Sequence, residues 1–245
     1  MNYPFTDAFD KEMLRRDMMG PNSMRVTEEL AAILPPGALA GGKKRILDLG
    51  CGKGLSSILL AGKYPETTVF AVDLWITATE NAERFASLGP ASGVGDRIIP
   101  IHADASQGLP FAERYFDAIV SVDAWHYFGD NEATLPAMLR YLKTGGTVAV
   151  AVPGLKREFP GGETPEEMRP YWGDGTSFHS CDWWEKLWGK AAGITDIRCR
   201  EMDCLKQAWD EWLECDNPHA KGDIPMMAAE GGRYFNLVHI TGKKS

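Results

Sequence analysis

The stretch Arg45-Ile46-Leu47-Asp48-Leu49-Gly50-Cys51-Gly52-Lys53-Gly54-Leu55-Ser56-Ser57 decides how the rest of the sequence is read. Residues 45–49 form a short β-rich apolar run that passes directly into three glycines at alternate positions, and a helical pattern follows. Glycine has no Cβ and accepts positive φ, so a Gly50-x-Gly52-x-Gly54 turn lets backbone come very close to a ligand. A helix starting at Leu55-Ser56-Ser57 adds free amides and a positive dipole end, which together favour an anionic group such as a carboxylate. Asp73 ends the next apolar run, 19 positions after Gly54, where it can accept hydrogen bonds from both hydroxyls of a ribose.

The same alternation continues on either side of Asp73. β-Rich runs at 45–49, 68–72, 97–102, 116–122 and 147–152 are separated by helical stretches, the pattern of repeated βαβ units around a parallel sheet. Thr77-Ala78-Thr79-Glu80 reads as a capping box, and Gly89 suits the end of that helix. Right-handed crossovers place the carboxyl ends of all five strands along one edge, where open α/β folds bind ligands. Ahead of this core, apolar spacing over 10–34 predicts two helices broken at Gly20-Pro21, and Pro35-Pro36-Gly37 with Gly41-Gly42 leads into the first strand. After Val152, residues 153–176 are rich in Pro, Gly and Glu and read as a lid or substrate loop. A helix at 182–192, a strand at 194–202, a helix at 205–213 and a strand at 234–241 follow. The expected organisation is an amino-terminal helical cap (1–44), a core (45–152), and a lid or substrate segment with closing strands of the same domain (153–245).

Composition narrows the partners. A length of 245 residues allows a substantial core, and a net charge of −8 with no basic run disfavours a nucleic-acid surface. No apolar stretch approaches the length of a membrane span and the amino end lacks a signal-peptide core, so a cytoplasmic protein is expected. Cys51, Cys181, Cys199, Cys204 and Cys215 form no C-x-x-C pair; free thiols are expected, and no metal.

The run Asp48-Leu49-Gly50-Cys51-Gly52-Lys53-Gly54 resembles the first motif of the class I, seven-stranded S-adenosylmethionine-dependent methyltransferases, an acid-x-Gly-x-Gly-x-Gly pattern. The resemblance extends over about 45–152. Asp73 matches the family's ribose-binding acid and Leu74 the apolar neighbour that packs on adenine. His102-Ala103-Asp104-Ala105 resembles the third-strand loop, whose acid receives the adenine amino group. Phe116-Asp117-Ala118-Ile119-Val120-Ser121 looks like the fourth strand, and Leu142-Lys143-Thr144-Gly145-Gly146 like the turn before the fifth, with Thr144 replacing the usual proline. The resemblance implies a Rossmann-like α/β fold, with a mostly parallel sheet and helices on both faces. It also implies S-adenosylmethionine as cofactor, with S-adenosylhomocysteine as product. Asp48, Gly50, Cys51, Gly52, Gly54, Asp73, Leu74, Asp104, Ala105 and Ser121 are the implied cofactor residues, Asp48 binding amides or the methionine amino group.

Methyl transfer from a sulfonium is an in-line displacement that asks the enzyme to hold a nucleophile near the methyl and exclude water. The fourth-strand loop Ser121-Val122-Asp123-Ala124-Trp125-His126-Tyr127 is similar to the ubiquinone-biosynthesis-like branch, in which a histidine lies beside the transferred methyl. His126 is the candidate to orient or deprotonate the acceptor, with Tyr127 beside it; Asp123 is read as a catalytic alternative or a turn cap. Substrate contacts are sought at Tyr3, Met19, His179, Trp183, Trp209 and Trp212. The stripe Leu205, Trp209, Trp212, Leu213 also has the spacing of a packed helix face, as do Trp184, Leu187, Trp188 and Ala191. The expected acceptor is a small molecule, which aromatic residues could enclose as a cation or a flat ring. Two other readings stay open, a nonenzymatic S-adenosylmethionine-binding protein and an NAD(P)-dependent oxidoreductase. The second wants Gly-x-Gly-x-x-Gly, and Leu55 stands where its third glycine belongs.

Overall fold

Apolar residues run almost unbroken through the central strands, as strands covered on both faces require. In the computed structural model, which describes every residue except Pro36 and Asp174 (and Pro90 by its backbone only), these runs form one sheet. β1 (Arg45–Leu49), β2 (Thr68–Asp73), β3 (Ile98–His102), β4 (Phe116–Val122) and β5 (Leu142–Leu155) are parallel, in the order β3-β2-β1-β4-β5. β6 (Ile194–Glu201) and β7 (Phe235–Lys244) extend it, β7 antiparallel to β5 and β6 antiparallel to β7, so that the seven strands run β3-β2-β1-β4-β5-β7-β6. Strand order reverses between β1 and β4, and the crossovers diverging there open a crevice beyond the carboxyl ends of the strands. This is the Rossmann-like, mostly parallel α/β architecture expected from the sequence.

The helices are α1 (Pro4–Ala8), α2 (Lys11–Asp17), α3 (Ser23–Ile33), α4 (Leu55–Lys63), α5 (Ala78–Ala86), α6 (Thr134–Leu139), α7 (Cys181–Trp188), α8 (Leu205–Leu213) and α9 (Pro218–Glu230). The strand side chains alternate between two cores. Ile46, Val69, Ala71, Ala118, Val120 and Ala149 pack with Leu30 of α3, Leu59 of α4 and Trp212 of α8. Leu47, Phe70, Val72, Ile119, Val148 and Val150 pack with Leu135 of α6 and Trp184 and Trp188 of α7. At roughly 25 cal/mol per Å² of apolar area, these two layers supply the main driving force that holds the strand ends in place.

Local chemistry sets the helix boundaries. Asp10 Oδ1 accepts the Met13 amide at the start of α2, and Asn22 Oδ1 accepts the amides of Met24 and Arg25 at the start of α3. The break at Gly20-Pro21 therefore separates two individually capped helices. The Thr77–Glu80 capping box is formed in full at α5. α3 carries buried charges that fasten the amino end to the rest of the chain. Arg25 is paired with Asp7 and Glu211, and Glu28 accepts the amide and hydroxyl of Thr6.

The structure departs from the sequence reading in places. β5 continues to Leu155, so the first residues of the expected 153–176 loop are strand, paired with Phe235–Leu237 of β7. The two undescribed positions fall within the expected Pro35-Pro36-Gly37 link and that loop. Ser180 occupies the N-cap position of α7, but its hydroxyl caps nothing; its amide donates to Glu158 Oε1 at 2.6 Å instead. α1 and α9 were not expected. Gly222 and Pro225 lie inside α9 and break its pattern, and tertiary contacts with α8 hold it in place.

Candidate functional site

The glycine turn is a tightly closed corner. The amides of Gly50 and Cys51 both donate to the Val72 carbonyl, at 2.8 and 3.1 Å, which ties the turn to the end of β2. Gly50 has φ +74°, and a Cβ there would lie 2.3 Å from the Cβ of Ala124, beyond β4. Gly54 has φ +83°, and a Cβ would lie 2.4 Å from the Phe85 ring, so this glycine lets α4 start close against α5. The first bond of α4 runs from the Ile58 amide to the Gly54 carbonyl at 2.9 Å, so the amides of Leu55, Ser56 and Ser57 have no acceptor within the helix. Asp48 lies behind the turn. Its Oδ2 accepts the hydroxyls of Ser56 and Ser57 at 2.6 and 2.5 Å, while Oδ1 is buried without a partner. Burial raises its pKa to about 6 against the pull of the two serines.

A cavity of about 500 Å³ opens over this corner. Leu49–Lys53, Leu55 and Ser56 form its floor; Asp73, Leu74, Trp75 and Ala103–Ser106 one wall; Val122–Ala124, Tyr127 and Phe128 the other; and Asp17, Met19, Gly20 and Ser23 close it from the amino end. Asp73 organises the first wall: Oδ2 accepts the Gly52 amide at 2.7 Å and Oδ1 the amides of Trp75 and Ile76 at 2.7 and 2.8 Å. A carboxylate offers about four lone-pair sites, so room for one more donor remains on Oδ2. Asp104 Oδ1 is taken by the amide and hydroxyl of Ser106, which hold its pKa below the usual carboxylate range, and Oδ2 stays open. Four large apolar side chains, Met19, Leu74, Trp75 and Tyr127, line this cavity while 40–63% exposed. Such a concentration of uncovered apolar surface marks a binding surface. Trp75 and Tyr127 meet edge to face, their centroids 5.2 Å apart.

The β4 end departs furthest from expectation. Asp123 has φ +55°, its amide donates to Ala151, and its carboxylate faces the cavity beside Gly20, where a Cβ would lie 2.1 Å from Oδ2. It caps nothing. Burial, and then Asp223 of α9, raise its pKa to about 8. His126 lies outside the cavity lining, buried against Tyr127 at a 4.0 Å centroid distance and against Phe178 at 5.7 Å, with Nδ1 unpartnered. Burial lowers its pKa to about 4, so it is neutral in the physiological range. Tyr127 does line the cavity, with its hydroxyl raised to about 12 by burial and then by Asp123.

The structure thus brings together Gly50, Cys51, Gly52, Asp73, Leu74, Asp104, Ala105, Tyr127 and Met19, and places the other expected residues elsewhere. Asp48, Gly54 and Ser121 support the corner from behind; the Ser121 hydroxyl is buried and donates to the Leu49 carbonyl at 2.7 Å. Tyr3 is buried, donating to Glu29 Oε2 at 2.6 Å and stacked under Arg25. His179 lies flat on Trp183 at 3.6 Å and pairs with Glu158, beyond the end of β5. Trp209 and Trp212 are core residues, as their helical stripe also allowed, and Trp212 Nε1 donates to Asp223 Oδ2 at 2.8 Å. Asp17, Gly20, Ser23 and Trp75 were not singled out in the sequence; only the Gly20-Pro21 break gave any signal there.

The cradle suits a nucleotide-like ligand with an amino-acid end. Gly50 and Gly52 keep the floor free of side chains, the α4 amides face it, and Asp73 and Asp104 each hold an acceptor site open. Residues 46–146 match the family model described as a methyltransferase domain. Over 130 residues the chain is 30% identical to the 27-O-demethylrifamycin SV methyltransferase of Amycolatopsis mediterranei, covering 51% of this chain and 43% of that protein. It is 34% identical over 110 residues to the trans-aconitate 2-methyltransferase of Streptomyces coelicolor, covering 45% of this chain and 35% of that one. The chain therefore spans less than half the length of these curated relatives. Among solved structures, Haemonchus contortus phosphoethanolamine N-methyltransferase 2 in complex with S-adenosyl-L-methionine superposes with a TM-score of 0.71 at 18% identity, covering 100% of this chain and 60% of that one. That is a likeness of fold.

Proposed function

We propose that the chain, whose residues 46–146 match a methyltransferase-domain model and lie within a seven-stranded sheet, binds S-adenosylmethionine in the cavity over the glycine turn and methylates a small-molecule acceptor. The observation that carries this reading is the convergence of the Gly50–Gly52 floor, Asp73 and Asp104 on one cavity at the reversal of strand order. The methionine carboxylate meets the open α4 amides, where the dipole favours a negative group. The Asp73 Oδ2 site accepts a ribose hydroxyl, Leu74 packs on the adenine, and Asp104 Oδ2 accepts its amino group beside Ala105. Cys51 contributes backbone and a small apolar surface, since burial holds its thiol protonated. The bound cofactor supplies an electrophilic methyl on a sulfonium; the protein holds the acceptor in line with it and keeps water away.

The assignment to a ubiquinone-biosynthesis-like branch rests on the β4 loop, where the histidine of the sequence pattern stands behind Tyr127. We therefore give His126 the role of positioning Tyr127, which contacts the acceptor. Met19 closes over the cofactor from the α2–α3 loop.

Isothermal titration with S-adenosylhomocysteine and with NADH tests the reading, together with a mass-spectrometric screen for S-adenosylhomocysteine and methylated products. Micromolar binding of S-adenosylhomocysteine, no binding of NADH, and turnover with a small acceptor are expected. Preference for NADH overturns the reading in favour of an oxidoreductase. Binding without turnover of any acceptor makes the chain a nonenzymatic S-adenosylmethionine-binding protein.

A further inference from the structure

We infer that the methyl acceptor is an amine, received as its ammonium form by the Asp123 carboxylate against the Trp75–Tyr127 edge. The inference rests on the proposed methyltransferase reading and adds to it the chemical class of the acceptor.

The argument begins with the charges on the cavity wall. Asp17, Asp73, Asp104 and Asp123 line it, and among the described residues Lys53 is the only basic side chain that does. Three of the four carboxylates are already engaged. Asp17 is paired with Arg16 at 2.6 Å and Arg84 at 3.3 Å, Asp73 holds three backbone amides, and Asp104 holds Ser106. Lys53 is turned away, donating to the Arg16 carbonyl at 2.8 Å. Asp123 alone has neither oxygen hydrogen-bonded nor ion-paired to a described residue, and it faces the cavity from the end of β4. A carboxylate enclosed without a partner is disfavoured unless a ligand supplies one. An arriving ammonium does so, donating to Asp123.

Position and shape agree with charge. The expected cofactor residues stand at the β1–β3 ends, while Gly20, Asp123 and Tyr127 line the same cavity from the α2–α3 loop and the β4 turn, with Trp75 against Tyr127. Gly20 has no side chain to cover the carboxylate, and a Cβ there would meet Oδ2. The exposed faces of Trp75 and Tyr127 attract a cation that has left bulk water. An anionic acceptor would meet the opposite: no guanidinium on the wall among the described residues, and an unengaged carboxylate in its path.

Asp123 also provides a place for the proton. An N–H bond of the ammonium breaks and its proton joins a carboxylate oxygen of Asp123, which leaves a neutral amine with a free lone pair. That pair forms the new N–C bond as the methyl leaves sulfur, the S–C electron pair stays on sulfur, and the Asp123 proton passes to water. A carboxyl group raised toward neutrality by its enclosure is a better proton acceptor than an ordinary aspartate.

The test is a titration of the wild-type protein and Asp123→Asn, both saturated with S-adenosylhomocysteine, using benzylamine and its anionic counterpart benzoate as probes. Benzylamine is expected to bind the wild type and to lose at least tenfold in affinity in the variant, while benzoate binds neither. S-adenosylhomocysteine affinity should stay within about twofold in Asp123→Asn. Equal benzylamine affinity in both proteins, no benzylamine binding to the saturated wild type, or preferential binding of benzoate overturns the amine assignment and leaves the methyltransferase reading intact. Failure of S-adenosylhomocysteine to bind the wild type removes the reading on which the inference rests.

Discussion

Replacing Asp123 with Asn should make the unliganded protein more stable, and increasingly so as pH rises. The side chain keeps its size, and Asn tolerates the left-handed φ of +55° at least as well as Asp, so the backbone is not perturbed. What changes is charge. The carboxyl is raised from 3.8 to about 8, first by burial and then by Asp223 on α9, with Tyr127 on its own turn and Asp17 and Lys53 across the cavity. A carboxyl with a raised folded-state pKa contributes nothing unfavourable below 3.8, where it is neutral in both states. Its stability contribution is lost progressively as pH rises and reaches its full loss above about 8. At about 1.4 kcal/mol per pH unit, that interval corresponds to about 6 kcal/mol for a fully enclosed group. Asp123 is half-buried and lines an open cavity, which reduces the figure to on the order of 2–3 kcal/mol. For a chain of this size that raises the Tm of the variant by roughly 4–12 °C over wild type above pH 8. The two melting curves should converge near pH 4. Thermal unfolding followed by circular dichroism from pH 4 to 9, without ligand, is the assay. A difference in Tm that does not vary with pH, or a variant less stable than wild type above pH 8, would refute the claim that this carboxylate is held against its own charge.

Two further substitutions separate structure from chemistry. Gly50→Ala combines a left-handed residue, about 1–2 kcal/mol, with a Cβ 2.3 Å from that of Ala124, about 1–3 kcal/mol of overpacking. Tm should drop by roughly 4–20 °C and S-adenosylhomocysteine binding should weaken in calorimetry; an unperturbed variant contradicts the close approach of β1 and β4. His126→Ala should lose on the order of 2 kcal/mol of stability from the vacated space beside Tyr127 and Phe178, with S-adenosylhomocysteine affinity near wild type. In the wild-type profile of kcat/KM against pH, activity is expected to rise with pH through a limb near 8 as Asp123 ionises in the free protein, and no limb is expected near 6.5, because burial keeps His126 neutral. A limb at 6.5 that disappears in His126→Ala would return the histidine to the chemistry.

The half of the cavity built from backbone could be read from the sequence. Glycines at 50 and 52 have consequences wherever a strand runs into a helix, and Asp73 follows at the end of the neighbouring strand, so its position is set by sheet topology alone. The acceptor half could not be read in this way. Asp123 and His126 lie three positions apart on one turn, and which of them enters the cavity depends on the left-handed residue at 123 and on Gly20, more than a hundred positions earlier. Chemical versatility drew attention to histidine, yet the pocket took the aspartate. The late tryptophans illustrate a second limit. Helical spacing correctly gave a buried stripe in α8, but an aromatic residue carries no sign that separates packing from recognition. Trp75 was left exposed beside the cavity together with its neighbour Leu74, and nothing in the run after β2 set it apart.

The two halves therefore differ in how they can change. The proposed cofactor contacts rest on main-chain amides, on glycines that no side chain can replace and on Asp73, whose carboxylate also holds the turn, so substitutions there act on fold and affinity together. Acceptor contacts come from separate segments, 17–23, Trp75 after β2 and the β4 turn, and their side chains are ones the sheet does not need. Asp123 is expected to destabilise the empty protein when charged, and Gly20 leaves it uncovered. A residue that costs stability and points into a cavity is a candidate for ligand contact. The acceptor's charge is thus written more plainly in that one destabilising carboxylate than in any residue that strengthens the fold.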